Sequence, residues 1–136
     1  MATRTRAALI AQRRPFIAET VFSHPSKLAL ITDAHAGGYT VIVHVLLVPE
    51  DLAVERVRHR VRAGGHGVPP AKIRQRYRRL WPLVTDAMAR ADTATVYDNS
   101  RLAGPRIVAQ LSAGLLVGAA GWPGWTPEPL RSRWPD

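Results

Sequence analysis

The chain has 136 residues, 46% of them hydrophobic and 21% charged, so it is long enough for one domain with a core and too apolar for general disorder. The net charge of +9 favours anionic partners: a nucleotide, a phosphorylated small molecule, nucleic acid or an acidic protein. The absence of cysteine excludes disulfides and zinc–cysteine sites. No apolar run reaches the ~18 residues of a membrane helix, and no signal peptide is evident, so we expect a cytoplasmic protein without membrane contact.

The N-terminal part of the chain predicts two helices separated by a strand. A short helix is expected over residues 7–13, and a brief buried strand over residues 16–19. Pro25 begins the second helix, at the position where its missing N–H costs nothing. Gly37 and Gly38 are expected to end this helix.

Residues 40–48, TVIVHVLLV, form the strongest strand pattern in the chain. Because the run is almost continuously apolar, it predicts a central strand covered on both faces. We expect His44, inside this strand, to be a satisfied core residue. Glu50 and Asp51 open the next helix, where carboxylates suit the positive end of the helix dipole.

The second half of the chain predicts a long helix followed by strands. The helix begins near Pro70 and contains Pro82, which predicts a kink or a split. A strand is expected over residues 94–97, and a small hairpin over residues 107–117. The segment 118–136 is rich in Pro and Trp and predicts an irregular strap. The apolar stripe of the long helix is Ile73, Tyr77, Leu80 and Val84.

The alternation of strands and helices predicts an α/β fold with a parallel sheet and crossover helices. We expect residues 1–117 to form this domain and residues 118–136 to form the tail. In such sheets ligands bind beyond the carboxyl ends of the strands. This edge would gather residues 19–24, the turn after Val48, and residues 98–100.

The most unusual stretch is residues 60–81, RVRAGGHGVPPAKIRQRYRRLW. Nine of the 19 Lys and Arg lie between Arg56 and Arg79, and no acidic residue lies between Glu55 and Asp86. Arginines beside a glycine hinge suit a lid that closes over phosphate, because the guanidinium fork matches phosphate oxygens. The alternative is a solvated pair of basic helices.

The arginines after the glycine-rich loop fall on two faces of one helix. Lys72, Arg76 and Arg79 are spaced i, i+4 and i+7, so they share a face, whereas Arg74 and Arg78 lie on a neighbouring face. Like charges this close destabilise a free helix, and a bound anion would remove that cost. For Arg74 and Arg78 a simply solvated position stays open.

The segment ETVFSHPSK, residues 19–27, brings together a carboxylate, hydroxyls, an imidazole and a lysine. A carboxylate at a strand end can orient a sugar hydroxyl, and the following helix start can receive an anion. The alternative is structural: Ser23 or His24 caps the helix that begins at Pro25, and Glu19 is a surface acid.

Several familiar sites have no counterpart in the sequence. The five histidines show no metal-ligand spacing, so no metal site is predicted. Neither Lys27 nor Lys72 is preceded by glycine, and the chain has no GxxxxGK followed by Ser or Thr, the Walker A motif. No aromatic residues interleave with the arginines as a stacking platform, which argues against nucleic acid as the partner.

Four segments, in one consistent order over about residues 7–117, resemble the bacterial zeta toxin family of P-loop kinases. They are FIAETVFSHPSKLALI, GYTVIVHVLLV, RVRAGGHGVPPAKIRQRYRRL and ATVYDNS. The resemblance implies a fold like that of nucleotide-monophosphate kinases. It also implies ATP and Mg²⁺ as cofactors, a UDP-sugar such as UDP-N-acetylglucosamine as substrate, and an antitoxin that blocks the nucleotide site.

The resemblance covers only the C-terminal two-thirds of such a kinase. The phosphate-binding strand and loop, and the catalytic aspartate expected after them, have no counterpart here. We therefore expect a truncated ATP-dependent small-molecule kinase, with a basic helical lid and a partial P-loop kinase-like sheet. It should be inactive without a P-loop-bearing N-terminal half. The alternative is a non-catalytic anion-binding or protein-binding remnant.

Residue by residue, the resemblance assigns two catalytic lid arginines, Arg76 and Arg79, which steady the transferred phosphate. The substrate-binding residues that it implies are Glu19, Thr20, Ser23, His24 and Lys27. The phosphate- or nucleotide-binding residues that it implies are His66, Arg74, Asp98 and Asn99. For Asp98 and Asn99 the alternative is that Asx residues simply terminate the strand.

Overall fold

The computed structural model describes residues 3–18, 24–62 and 67–136. Within them the α-helices are α1 (Thr3–Ala11), α2 (Leu28–Ala36), α3 (Glu50–Arg62), α4 (Pro70–Arg90) and α5 (Glu128–Arg133), with a 3-10 turn at Pro25–Lys27 before α2. The strands are β1 (Ile42–Leu47), β2 (Thr93–Asp98), β3 (Arg106–Ser112) and β4 (Leu115–Leu116). No helix in these ranges is long and apolar enough to cross a membrane.

The four strands form one mixed sheet in the order β1-β2-β3-β4. β1 and β2 are parallel, whereas β3 runs antiparallel to both β2 and β4. The predicted α/β class is confirmed, but the sheet is parallel only in the pair that α3 and α4 connect. β3 returns after a short loop that leaves no room for a crossover helix. The predicted hairpin is present as β3 and β4, and its turn places Gly114 at a φ of +79°.

The helix α4 covers one face of the sheet and supplies much of the core. Its predicted stripe is confirmed, because Ile73 and Val84 are buried while Tyr77 and Leu80 are half-buried. The residues with the least exposed side chains come from β1, α4, β2 and α5: Leu47, Met88, Val96 and Leu130. Pro82 lies inside α4 without splitting it, so the helix is continuous from Pro70 to Arg90.

The tail completes the core. The sequence predicts an irregular strap, but residues 128–133 form α5, and Trp122, Leu130 and Trp134 are buried in the main apolar cluster. The indole N–H of Trp122 donates to the carbonyl oxygen of Trp134 at 2.7 Å. The indole N–H of Trp134 donates to the carbonyl oxygen of Gly114 at 2.9 Å. Large apolar rings with satisfied N–H groups hold this proline-rich segment against the sheet.

The predicted buried strand over residues 16–19 is wrong for its described part, residues 16–18. These residues join no ladder, and Ile17 is 89% exposed. They lie beside Tyr39 instead: the rings of Phe16 and Tyr39 meet edge-on at 5.7 Å, and the Tyr39 hydroxyl lies within hydrogen-bond distance of the Arg14 carbonyl oxygen. A short apolar run forms a buried strand only where a neighbouring strand pairs with it.

The prediction that β1 is a central strand is also wrong. In the described part of the chain β1 pairs only with β2 and lies at the edge of the sheet. Val45 and Leu47 are buried against α4, but Ile42 and Leu46 are exposed on the opposite face. His44 is exposed as well, and its Nδ1 lies 2.9 Å from the Tyr97 hydroxyl, so it is not a core residue.

Candidate functional site: the basic helix pair

The helices α3 and α4 form a basic helix pair. α3 begins with two carboxylates and ends among arginines, and α4 carries further cations in its first half. α3 follows Pro49 and has Glu50 and Asp51 in its first turn, where the helix dipole favours negative charge. Val54 is its buried anchor against α4. α4 starts at Pro70, where proline suits the first helical turn. The connection between the helices includes residues 63–66, which lie outside the described residues and include His66.

Arg74 and Arg78 of α4 form ion pairs with the start of α3. Arg78 contacts Glu50 at two points: its Nε lies 2.8 Å from Oε1, and its Nη2 lies 3.2 Å from Oε2. Arg74 Nη1 lies 3.0 Å from Oε2 of Glu50 and 2.7 Å from Oδ1 of Asp51. The hydrogen bond from Arg78 is the largest influence that lowers the pKa of Glu50. The charge of Arg74 and Arg78 is therefore neutralised within the chain, and they are not simply solvated.

Tyr77 lies between these two arginines on α4 and fixes the helix to the end of β1. Its hydroxyl donates to the carbonyl oxygen of Val48 at 2.6 Å, and its ring packs edge-on against Trp81 at 5.5 Å. Burial, together with the nearby negative charge of Glu50, raises the pKa of Tyr77 to about 12. The phenol therefore stays protonated and remains a hydrogen-bond donor at neutral pH.

The second set of cations on α4 is exposed, as the helical spacing predicts. Lys72, Arg76 and Arg79 have no ion-pair partner among residues 3–18, 24–62 and 67–136. Arg79 borders a shallow groove of about 560 Å³ whose other lining residues are Ala71, Arg74, Gln75 and Arg78. Exposed guanidiniums on one side of a rigid helix can bind an anion without first breaking an internal contact.

A second basic groove runs along the outer face of α3. It has a volume of about 630 Å³ and is lined by Glu55, Arg56, His59, Arg60 and Arg62. Arg56 Nη2 donates to the carbonyl oxygen of Asn99 at 2.8 Å, which ties α3 to the end of β2. Arg58 pairs with Glu55 at 3.4 Å.

Asp98 and Asn99 end β2 beside the end of β1. Asp98 is buried, and its Oδ1 accepts hydrogen bonds from the backbone N–H and the hydroxyl of Ser100 at 2.9 and 2.5 Å. Burial raises the pKa of Asp98, but the bonds from Ser100 and the charges of Arg106 and Arg101 together outweigh it, so the pKa is lowered. The N–H of Asn99 donates to the carbonyl oxygen of Leu47 at 2.8 Å. The strand-terminating alternative accounts for these contacts, and the nucleotide contact stays a prediction.

Only part of the predicted substrate segment is described. Glu19, Thr20 and Ser23 lie outside the described residues. His24 Nδ1 accepts from the backbone N–H of Ser26 at 3.1 Å and thus caps the 3-10 turn, as the structural alternative has it. Lys27 ends that turn with a half-buried side chain.

The structure places the predicted residues in three separate parts of the fold. Arg74, Arg76 and Arg79 share the N-terminal half of α4, whereas the turn that holds His24 leads into α2. α2 packs against Leu83 and Ala87, one to two turns of α4 beyond Arg79. The pair Asp98 and Asn99 lies at the end of β2.

Sequence reasoning missed three residues that organise the site: Glu50, Tyr77 and Arg56. The sequence pattern identifies Glu50 only as a residue at a helix start and Tyr77 only as part of an apolar stripe. The available signal was the arginine pair at i and i+4, which lies on one side of the helix and can face two carboxylates on a neighbouring helix. The bond from Arg56 to a backbone carbonyl oxygen has no sequence signal.

The sequence profile of the family described as Zeta toxin matches residues 1–103. The chain belongs to the zeta toxin family. The match covers the basic helix pair and the parallel strands β1 and β2, and it ends before β3, β4 and the tail. No curated protein and no solved structure is significantly similar to the chain.

The cofactors implied by the zeta toxin family, ATP and Mg²⁺, fit the described residues unequally. The exposed guanidiniums of Arg76 and Arg79 suit the phosphates of a nucleotide. In contrast, no three His, Asp or Glu side chains of the described residues come close enough to hold a metal ion.

Proposed function

We propose that this chain is the lid-bearing portion of a zeta-toxin-like kinase. The reaction would transfer the γ-phosphoryl group of ATP to a hydroxyl of a UDP-sugar or a similar small molecule. The observation that carries the proposal is the pair of exposed guanidiniums at Arg76 and Arg79, which are unpaired within the described residues. Membership of the zeta toxin family supports this reaction class.

The role of Arg76 and Arg79 follows from the charge of the reacting group. Enzymes accelerate phosphoryl transfer mainly by positioning and charge stabilisation. The two arginines lie three residues apart on one helix, so an anion between them is attracted by both. As the phosphoryl group moves, fixed positive charge stabilises its oxygens without further reorganisation of the site.

The family resemblance supports roles for the remaining residues in two groups. The acceptor molecule is positioned by the segment before α2, and the nucleotide is held near the glycine-rich connection and the end of β2. The first group is Glu19, Thr20, Ser23, His24 and Lys27. The second group is His66, Arg74, Asp98 and Asn99.

The sequence holds no Walker A motif, so the reaction needs a P-loop-bearing segment from another polypeptide or from another part of a longer protein. Within the described residues the outer edge of β1 is unpaired, which supports docking of this segment there, because a parallel strand can pair with the backbone groups of residues 42–47. Such pairing would make β1 an interior strand, which suits its apolar composition. An antitoxin is the other partner that the family resemblance suggests, at the nucleotide site.

A non-catalytic protein-binding role is the second candidate, and the open face of the sheet favours it. Ile42 and Leu46 on β1 are exposed on the same face as Ile107 and Leu115, because their strands pair in register through β2. Polar residues such as Thr93 and Ser112 lie between them on this face, and exposed apolar side chains with polar neighbours can mark an interaction surface.

Complementation separates the two candidates. The purified chain, alone and mixed with the P-loop-bearing N-terminal segment of a full-length zeta toxin, is incubated with ATP, Mg²⁺ and UDP-N-acetylglucosamine, and phosphorylated product is measured by mass spectrometry. We expect no product from the chain alone and product from the mixture. Replacing Arg76 and Arg79 with Ala should reduce the rate at least about 100-fold.

Binding of the segment is followed separately by amide exchange of residues 42–47. Increased protection without product would favour the protein-binding candidate. Product formation that survives the double replacement would contradict the role of the two arginines.

A further inference from the structure

Two carboxylates occupy the guanidiniums of Arg74 and Arg78 in an arrangement that resembles phosphate binding. Three oxygens, Oε1 and Oε2 of Glu50 and Oδ1 of Asp51, lie 2.7–3.2 Å from donors of the two arginines. One of them, Oε2 of Glu50, is shared between both guanidiniums. Planar forks that share and bridge anionic oxygens are the geometry in which arginine pairs bind phosphoryl groups.

The segment of α4 that carries both arginines is held in place by contacts that do not involve the carboxylates. Tyr77 lies between them on α4 and is bonded to the carbonyl oxygen of Val48, and Ile73 and Trp81 bury the same side of the helix. The backbone at Arg74 and Arg78 is therefore fixed without Glu50 or Asp51, whereas the hydrogen bonds that the two guanidinium groups make within the described residues go to these carboxylates. Their side chains are 38% and 73% exposed, so a dissolved anion can reach them.

The carboxylates are more easily displaced than the arginines. Asp51 is 86% exposed, and exposed ion pairs contribute little free energy because water and salt screen them. Glu50 is less exposed, but its ion-pair contacts within the described residues are all with Arg74 and Arg78. A di- or triphosphate carries more charge than either carboxylate and offers more oxygens.

We infer that Arg74 and Arg78 form a second phosphoryl-binding site, which Glu50 and Asp51 occupy as internal competitors. The ligand class is the polyphosphate of a nucleotide, so this inference rests on the proposed function for the nature of the ligand. It adds that the site is self-inhibited. Binding there requires the carboxylates to leave, whereas binding at Arg76 and Arg79 does not.

The test is the affinity for pyrophosphate, measured by calorimetry on the full chain at low salt. Glu50→Gln combined with Asp51→Asn should tighten binding about fivefold, because the competitors are removed while the arginines remain. Adding Arg74→Gln and Arg78→Gln to that variant should abolish the gain. Glu55→Gln is the control for the loss of one negative charge from the same helix; within the described residues it breaks only the pair with Arg58, and it is compared directly with Asp51→Asn.

Equal affinities in the carboxylate variants and in Glu55→Gln would overturn the inference, because a general change in charge would then explain any gain. Weaker binding in the carboxylate variant with intact circular dichroism would also overturn it and make Glu50 a support for the helix pair. If the double variant does not fold, Asp51→Asn alone is used, because the side chain of Asp51 is exposed and its replacement should not disturb folding. We expect it to bind pyrophosphate about twofold more tightly than Glu55→Gln does. Equal affinity of the two variants would refute the inference.

The outcome is separable from that of the proposed function. Arg76→Gln with Arg79→Gln in the otherwise unchanged chain tests the first anion site alone. If these replacements leave pyrophosphate binding intact while the carboxylate variants still gain affinity, the proposed lid arginines fail and the self-inhibited site stands. If neither the unchanged chain nor the carboxylate variants bind pyrophosphate, the self-inhibited site fails.

Discussion

Tyr77 joins the middle of α4 to the end of β1 through a hydrogen bond of 2.6 Å to the carbonyl oxygen of Val48. This bond fixes α4, which carries Lys72, Arg74, Arg76, Arg78 and Arg79, relative to the carboxyl edge of the sheet. It lies one residue from Arg76 and from Arg78, so the orientation of both arginine sets depends on it.

Tyr77→Phe should destabilise the protein by about 1–2 kcal/mol, because the ring can still pack while the Val48 carbonyl oxygen loses its donor. The free energy of unfolding in urea measures this cost. Arg79→Gln is the surface control and should change it by less than about 0.5 kcal/mol. A Tyr77→Phe protein as stable as the unchanged chain would mean that the bond contributes nothing.

The Tyr77 phenol should titrate at about pH 12, followed by absorbance at 295 nm and assigned by its loss in Tyr77→Phe. Burial and the charge of Glu50 raise this pKa above that of the unfolded chain, so folding loses stability as pH rises from about 10 to about 12. Glu50→Gln should lower the titration midpoint. An unchanged midpoint would show that the carboxylate does not act on the phenol.

Ionised Asp92 should stabilise the folded protein above about pH 4, and this stabilisation should disappear as the carboxylate is protonated at lower pH. Its Oδ2 accepts from the Val41 N–H at 2.7 Å and lies 3.0 Å from His35 Nε2. The bond from Val41, followed by that from His35, lowers the pKa of Asp92, so the stabilisation is present above the unfolded value and is lost as pH falls through the folded value. Asp92→Asn should lower the melting temperature at pH 6 and flatten its decline below pH 4. Parallel melting curves for the two proteins from pH 6 to pH 3 would contradict this.

Leu130→Ala should cost about 2–5 kcal/mol, as expected for a fully buried leucine, because α5 is part of the core. Leu102→Ala is the control: this leucine is fully exposed in a loop and should matter little. Urea unfolding compares the two. A small effect at Leu130 would mean that the tail contributes little to the stability of the core.

The sequence was most informative where one periodic pattern sufficed. The stripe of Ile73 and Val84 predicted α4, and Gly37 marked the end of α2. It was least informative about neighbours. The apolar run of β1 does not show whether strands pair with it on both sides. In the same way, the apolar residues around Ile17 do not show whether any strand pairs with them, and Ile17 is exposed.

Part of the candidate site could be predicted, because helical spacing alone separates Arg76 and Arg79 from Arg74 and Arg78. The neutralisation of Arg74 by Glu50 could not be predicted. That contact joins residues 24 positions apart and exists only because α3 packs against α4. The absence of acidic residues between Glu55 and Asp86 suggests that all the arginines of the lid are unneutralised. In the structure, Glu50 and Asp51 neutralise two of them, Arg74 and Arg78.

The most direct test of a phosphate site on α4 is the melting temperature of the protein with increasing pyrophosphate. Ligand that binds only the folded chain stabilises it by mass action, so pyrophosphate at about 100 times its dissociation constant should raise the melting temperature by roughly 5 °C or more. Arg76→Gln with Arg79→Gln should remove most of this rise, because Glu50 and Asp51 compete for the site at Arg74 and Arg78. Arg90→Gln with Arg101→Gln, which removes the same charge from exposed positions elsewhere, should preserve it. An equal rise in all three proteins would contradict the account and show that Arg76 and Arg79 are only a solvated surface.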